Sequence, residues 1–192
     1  MGFSVWTYSD SSGACSITEA RGLDPIMPLK DGSPALSLLS GASLVSGMNP
    51  DQPDDIALLD NVHNTDGILV VSARLKTFLK SQDLTHVEYL PLTVEDHKGR
   101  AVSEPFFVVH PLQPVDAIDL EASGCRMSRI KKDRIQSMEK MVLRTAEIPA
   151  DRQLFRLKGL WGVTLVRESL AQAITAAGFT GLRWLPIDAY PG

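Results

Sequence analysis

The sequence predicts an α+β fold with a mixed, largely antiparallel sheet. Three observations lead there: a strand-helix-strand unit that occurs twice, a strand-rich stretch between the copies, and dense periodic apolar runs from Gly67 onward. Residues 67–93, GILVVSARLKTFLKSQDLTHVEYLPLT, align without a gap on 162–188, GVTLVRESLAQAITAAGFTGLRWLPID. Identities fall at Gly67/Gly162, Val71/Val166, Leu75/Leu170, Thr85/Thr180, Leu90/Leu185 and Pro91/Pro186, and most remaining apolar positions match. One unit has been used twice.

The 192 residues are expected to form one domain, with 1–66 as an irregular N-terminal part and 67–192 as the α+β core. Residues 1–50 hold ten Ser, six Gly and four Pro, which favour turns, with a short helix near 36–45. Each repeat copy then opens with a buried strand, 68–71 or 163–166. A helix follows, because Val71, Leu75, Phe78 and Leu79, like Val166, Leu170, Ala173 and Ile174, recur at i, i+4, i+7 and i+8 and make one apolar stripe. Ser72 is placed to N-cap the first helix. Gly178 stands where the second needs a residue at positive φ, and Asp83 takes that place in the first. Each helix returns through Thr into a strand, 86–92 or 182–187, that ends in Leu-Pro. Between the copies, 105–111, 138–146 and 153–158 read as strands, the last with Phe155 and Leu157 on one face and Arg156 and Lys158 on the other, and 114–121 as a helical turn or irregular edge.

With 44% hydrophobic and 22% charged residues the chain can bury a core. The formal charge of -4 argues against a protein that wraps nucleic acid over its whole surface. That small value is a remainder. Residues 51–66, DQPDDIALLDNVHNTD, carry five Asp and no Lys or Arg, whereas Arg126, Arg129, Lys131, Lys132 and Arg134 stand against Asp133 alone. No apolar run approaches the roughly 20 residues of a membrane-spanning helix. The start of the chain lacks the pattern of a secretory signal, and Cys15 and Cys125 are too few for a disulfide framework, so the cytoplasm is the expected location.

Motifs for catalysis are missing. Neither G-x-G-x-x-G nor G-x-x-x-x-G-K-[ST] occurs, so the phosphate cradles built on those loops have no counterpart. His86-Val87-Glu88 resembles half of a deaminase signature without its Cys half. His110 lies in an apolar strand and reads as a satisfied, half-buried histidine, while His63 lies among carboxylates that favour its charged form. The expectation is no catalytic residue, no metal and no cofactor. Two other readings rest on residue type: a metal-dependent hydrolase using Asp54, Asp55 and His63 or His86, Glu95 and His97, and an RNA-binding module using 126–134. The basic cluster has no interleaved aromatics for base stacking, which favours a solvent-facing turn. Trp6, Trp161 and Trp184 read as core or interface anchors.

An ordered series in the second half resembles bacterial polymorphic-toxin immunity proteins, small cytosolic domains encoded beside secreted toxins. It runs through Leu69-Val70-Val71-Ser72-Ala73-Arg74-Leu75, Pro114-Val115-Asp116-Ala117-Ile118-Asp119, Ile148-Pro149, Arg152, Leu154-Phe155-Arg156-Leu157, and Leu165-Val166 through Gly178, Gly181 and Pro186. The resemblance implies a protein without catalysis of its own that binds and neutralises a cognate toxin domain. These residues are mainly apolar, Gly, Pro and Arg, and define a fold rather than a contact surface; Arg152 and Arg156 are expected as structural ion-pair partners. The expected contact residues are Asp51, Asp54, Asp55, Asp60 and Asp66, because an acidic stretch suits a basic partner.

Overall fold

The computed structural model describes residues 2–190. Strands β1 (Phe3–Tyr8), β2 (Ser16–Ile17), β3 (Leu44–Gly47), β4 (Asn61–Asn64), β5 (Leu69–Ser72), β6 (Val87–Glu95), β7 (Phe106–Pro111), β8 (Arg126–Met127), β9 (Ile135–Ser137), β10 (Leu154–Leu157), β11 (Leu160–Arg167) and β12 (Leu182–Pro186) join helices α1 (Pro28–Asp31), α2 (Ala73–Ser81) and α3 (Glu168–Ala176). They form a six-stranded sheet ordered β2-β4-β5-β7-β6-β3, a four-stranded sheet ordered β10-β11-β1-β12, and the hairpin β8-β9. Among the strands of the described residues only β2 with β4 and β3 with β6 pair in parallel, so the architecture is α+β with largely antiparallel sheets.

The repeat reaches far beyond the 27-residue unit. Val70 lies opposite Val108, which lies opposite Leu90; in the other sheet Leu165 lies opposite Val5, which lies opposite Leu185. Since Val70/Leu165 and Leu90/Leu185 are matched positions of the unit, β1 stands in the second half where β7 stands in the first. The register carries outward too, with Val62 beside Val70 and Phe155 beside Leu165. One strand further, Ile17 pairs in parallel with Asn64, and Val115 bridges in parallel to Leu157. Even the helix starts agree, Ala73 N–H donating to Pro105 O and Glu168 N–H to Gly2 O, both at 3.1 Å. Two equivalent halves result: 14–111, and 115–190 completed by β1. Gly67 and Gly162, both at positive φ, meet back to back where the halves touch.

Alternation along each strand then sorts the core into three layers. Leu69, Val71, Val109, Trp6 and Val166 face a shared core filled from α2 by Leu75 and Leu79 and from α3 by Leu170 and Ile174. Their strand neighbours Ile68, Val70 and Val108 face the first outer core, covered by Cys15, Ile17, Leu29, Leu39 and Leu44. Phe3, Val5, Val163 and Leu165 face the second, covered by Val115, Ile118, Ile135, Met138 and Ile148. Trp6 packs edge to face on Trp184 at 5.1 Å between centroids, so both are core anchors.

Several local expectations change. Residues 1–66 are not simply irregular, since β1 is an interior strand and β3 and β4 belong to the larger sheet. The helix expected near 36–45 is a 3-10 turn, Leu36–Leu39, running into β3. Residues 138–146 form no strand, only a bridge between Ile118 and Leu143 and the start of a 3-10 turn. Strand β10 is buried on both faces, so Arg156 is 1% exposed. Neither expected arginine makes an ion pair among the described residues: Arg152 donates to Leu112 O and Gln113 Oε1, and Arg156 donates through one nitrogen to Lys30 O. Burial pulls the Arg156 guanidinium down to about 10, against the pull of Asp31. The helix ends behave as predicted, with Ser72 Oγ accepting from Leu75 N–H, Gly178 at φ 70 and Asp83 at φ 48.

Candidate interaction surface

The five aspartates of the acidic stretch separate into two kinds. Asp51 and Asp54 are exposed and Asp55 half-buried, on a run of turns between β3 and β4. The turns are held locally: Asn49 Oδ1 accepts from Asp51 N–H at 3.1 Å, Gln52 O accepts from Asp55 N–H at 3.1 Å, and Ser16 Oγ donates to Gln52 Oε1. Ala57 N–H donates to Gly13 O at 2.9 Å and pins the far end. Among the described residues none of these three carboxylates forms an ion pair. Beside them Ile56 is 63% exposed, which for a large aliphatic side chain is unusual.

Asp60 and Asp66 turn inward and leave this surface. Asp66 is buried, accepting from Ala20 N–H at 2.8 Å and pairing with Lys30 at 3.3 Å. Asp60, 6% exposed, accepts from Ser72 Oγ, from Arg74, and from the backbone and hydroxyl of Thr180 at 2.9 and 3.0 Å. Burial pushes its carboxyl up, but the donors from Arg74, Ser72 and Thr180 outweigh it and hold the carboxyl at about 2. The matched residue Thr85 donates from the other half to Asp151 Oδ2 at 3.1 Å, so each half holds a carboxylate of its counterpart. That accounts for the Thr85/Thr180 identity.

Between the loop and β1 lies a depression of about 310 Å³ lined by Tyr8, Asp10, Gln52, Asp55, Asn61 and His63. His63 stacks on Tyr8 with centroids 3.6 Å apart. Its pKa moves down, not up as its acidic neighbours suggested, because burial outweighs Asp10. Cys15 lies in the wall, its thiol pushed up to about 11 by burial and by Asp55, which leaves it a poor nucleophile. On the other flank, a groove of about 510 Å³ runs past Ile56, Leu58, Asp60, Arg74 and Pro105. The sequence reading missed Asp10 and Ile56; Asp10 lies 41 positions before Asp51, and only the fold brings the two regions together.

The basic cluster forms the second exposed feature. Residues 128–134 connect β8 to β9, and Arg126, Arg129, Lys131, Lys132 and Arg134 pair with no carboxylate among the described residues. Lys131 and Arg134 lie over the Trp161 ring, 4.5 and 5.1 Å from its centroid.

Neither the Asp54, Asp55, His63 set nor the His86, Glu95, His97 set assembles, since the described residues contain no group of three or more His, Cys, Asp or Glu able to hold a metal ion. His110 is fully buried rather than half-buried, with Nε2 2.8 Å from Ser33 O. Cys15 and Cys125 are free thiols. No helix among the described residues is long and apolar enough to cross a membrane. No curated protein matches the chain. A family model, described as the immunity protein family Imm11, matches residues 45–189, which is 145 of the 192 residues. The match starts in β3 and runs through the repeat, both halves of the shared core and the acidic stretch. The chain therefore belongs to the Imm11 immunity protein family.

Proposed function

We propose that this chain binds a cognate secreted toxin domain in the bacterial cytoplasm and neutralises it without catalysis of its own. Asp51, Asp54 and Asp55, with Asp10 on one flank of their loop and Ile56 on the other, are the contact surface. Family membership supports the toxin partner, and one observation carries the choice of surface: carboxylates without an ion pair among the described residues share one short loop, held by its own turns, with an exposed aliphatic side chain. Protein interfaces combine a desolvated apolar anchor with a charged rim that steers the encounter. A loop ordered in advance loses little entropy on binding. The complementary partner is a basic face of the toxin domain. Asp60 and Asp66 serve the surface indirectly, fixing the strand that follows it.

The test uses the toxin domain encoded in the neighbouring gene, inactivated for purification and active for growth rescue. The triple change Asp51→Asn, Asp54→Asn, Asp55→Asn is expected to weaken binding about tenfold or more at low salt while unfolding changes by less than about 0.5 kcal/mol. Ile56→Asp is expected to accelerate dissociation. No complex and no growth rescue by the unmodified chain overturns the proposed function; wild-type affinity in both variants moves the contact surface elsewhere.

A further inference from the structure

We infer that the β8-β9 hairpin is a second contact arm that docks on an acidic, apolar-notched surface of the same toxin domain, an inference that rests on the reading above. Ile130 at its crest is 93% exposed and Met127 is 40% exposed, while the neighbouring Arg126, Arg129 and Lys132 find no carboxylate among the described residues. The hairpin pairs with neither larger sheet. It is nevertheless anchored: Ile135 is buried in the second outer core, Ile135 N–H donates to Gly159 O at 2.9 Å, and Lys131 and Arg134 lie on Trp161. An open groove of about 900 Å³ runs beside it, lined by Arg126, Arg129, Arg134 and Gln136.

The duplicated fold sharpens the point. In the first half, the segment between Arg21 and Val45, which bridge each other, folds down as α1 and a 3-10 turn and buries Leu29, Ala35 and Leu39. In the second half, the segment between the bridged Ile118 and Leu143 raises the hairpin instead. The same place in the fold thus packs in both halves, Ile135, Met138 and Met141 being buried in the second, but projects in only one. A bare aliphatic tip between cations fits a protein surface with carboxylates around an apolar notch. Nucleic acid fits less well, because a base needs an aromatic face and Lys131 and Arg134 already cover Trp161. One partner can reach both features. Tyr8, at the end of β1, lines the acidic depression, and Trp161 lies at the start of the antiparallel β11, so both stand at one end of the four-stranded sheet.

Two variants test this against the inactivated toxin domain from the neighbouring gene: Arg126→Glu with Arg129→Glu, and Ile130→Asp. The side chains changed are exposed and make no hydrogen bond among the described residues, so melting temperatures should match the unmodified chain. The charge reversal is expected to slow association about tenfold at low salt, with the difference shrinking at high salt. The tip change is expected to raise the dissociation rate about tenfold. Unmodified kinetics in both variants, alongside a weakened acidic-loop variant, overturns the second arm and leaves the proposed function standing. Loss of binding to a single-stranded RNA oligonucleotide with toxin binding intact also overturns it, in favour of nucleic acid. If the unmodified chain does not bind the toxin domain, the parent reading fails and this one falls with it.

Discussion

The two halves of the molecule share strand order and register and differ in what surrounds that frame. Around the first half, 15–48 packs closely, adds two parallel strands to the sheet, and leaves the acidic loop at its exit. Around the second, 115–148 makes only a single parallel bridge at Val115 and lifts a basic hairpin into solvent. The difference teaches where the chain is under packing constraint. Identical positions of the two halves close the shared core, as Val71/Val166 and Leu75/Leu170 do, or hold a carboxylate of the other half, as Thr85/Thr180 do, whereas the charged features sit on connections that the frame leaves free.

The strongest way to break this comparison is to empty the shared core from both sides. Leu75 and Leu170 occupy matched sites and are almost completely buried, so Leu75→Ala and Leu170→Ala should each cost about 3 kcal/mol in denaturant unfolding. If one costs several times the other, the halves are not energetically equivalent.

Asp60 against Asp151 comes next. Asp60 is buried and held at about 2 from an ordinary 3.8, whereas Asp151 is exposed. Asp60→Asn should therefore cost about 2 kcal/mol at neutral pH, and Asp151→Asn less than about 0.5 kcal/mol. The sign follows from the lowered pKa: the folded state releases this proton more readily, so the contribution is complete above pH about 4 and fades as pH falls through about 2. Acid titration of stability should show that limb in the unmodified chain and lose it in Asp60→Asn.

The smallest effect sharpens the comparison at the helix ends. Gly178 at φ 70 has open space where a Cβ would stand, so Gly178→Ala should cost about 1 kcal/mol from backbone strain alone. Asp83→Gly, at φ 48 in the matched place, should stabilise by up to about 1 kcal/mol. Opposite signs at equivalent positions, read by thermal unfolding, are the expected result.

Much of the frame was legible because the repeat writes it twice: buried strand, apolar stripe, positive-φ stop, Leu-Pro strand end. The remainder was hidden for physical reasons. Strand β4, Asn-Val-His-Asn, is polar in sequence, yet Asn61 and Asn64 are buried because their side chains bond to Trp6, to Gly181 and to Ile68. β1 is buried on both faces around Trp6, which blurs the alternation that marks a strand. Within the acidic stretch, Asp51 and Asp60 look alike until Thr180, 120 residues away, donates to one of them. Ile56 and Ile130 were invisible as surface features, since an isoleucine reads as core unless the fold denies it one.

The placement of β1 has a consequence for assembly. Its first register pair joins Phe3 to Arg167, and its other neighbour is β12, so during synthesis this strand waits for partners that emerge long after it. Contacts this distant along the chain close slowly and dominate the folding barrier. The first half can gather from neighbouring segments, whereas the second becomes complete only when β1 meets β11 and β12. Until then Trp6 and the apolar side of β11 are uncovered, and a growing chain is most exposed to aggregation or proteolysis in that interval.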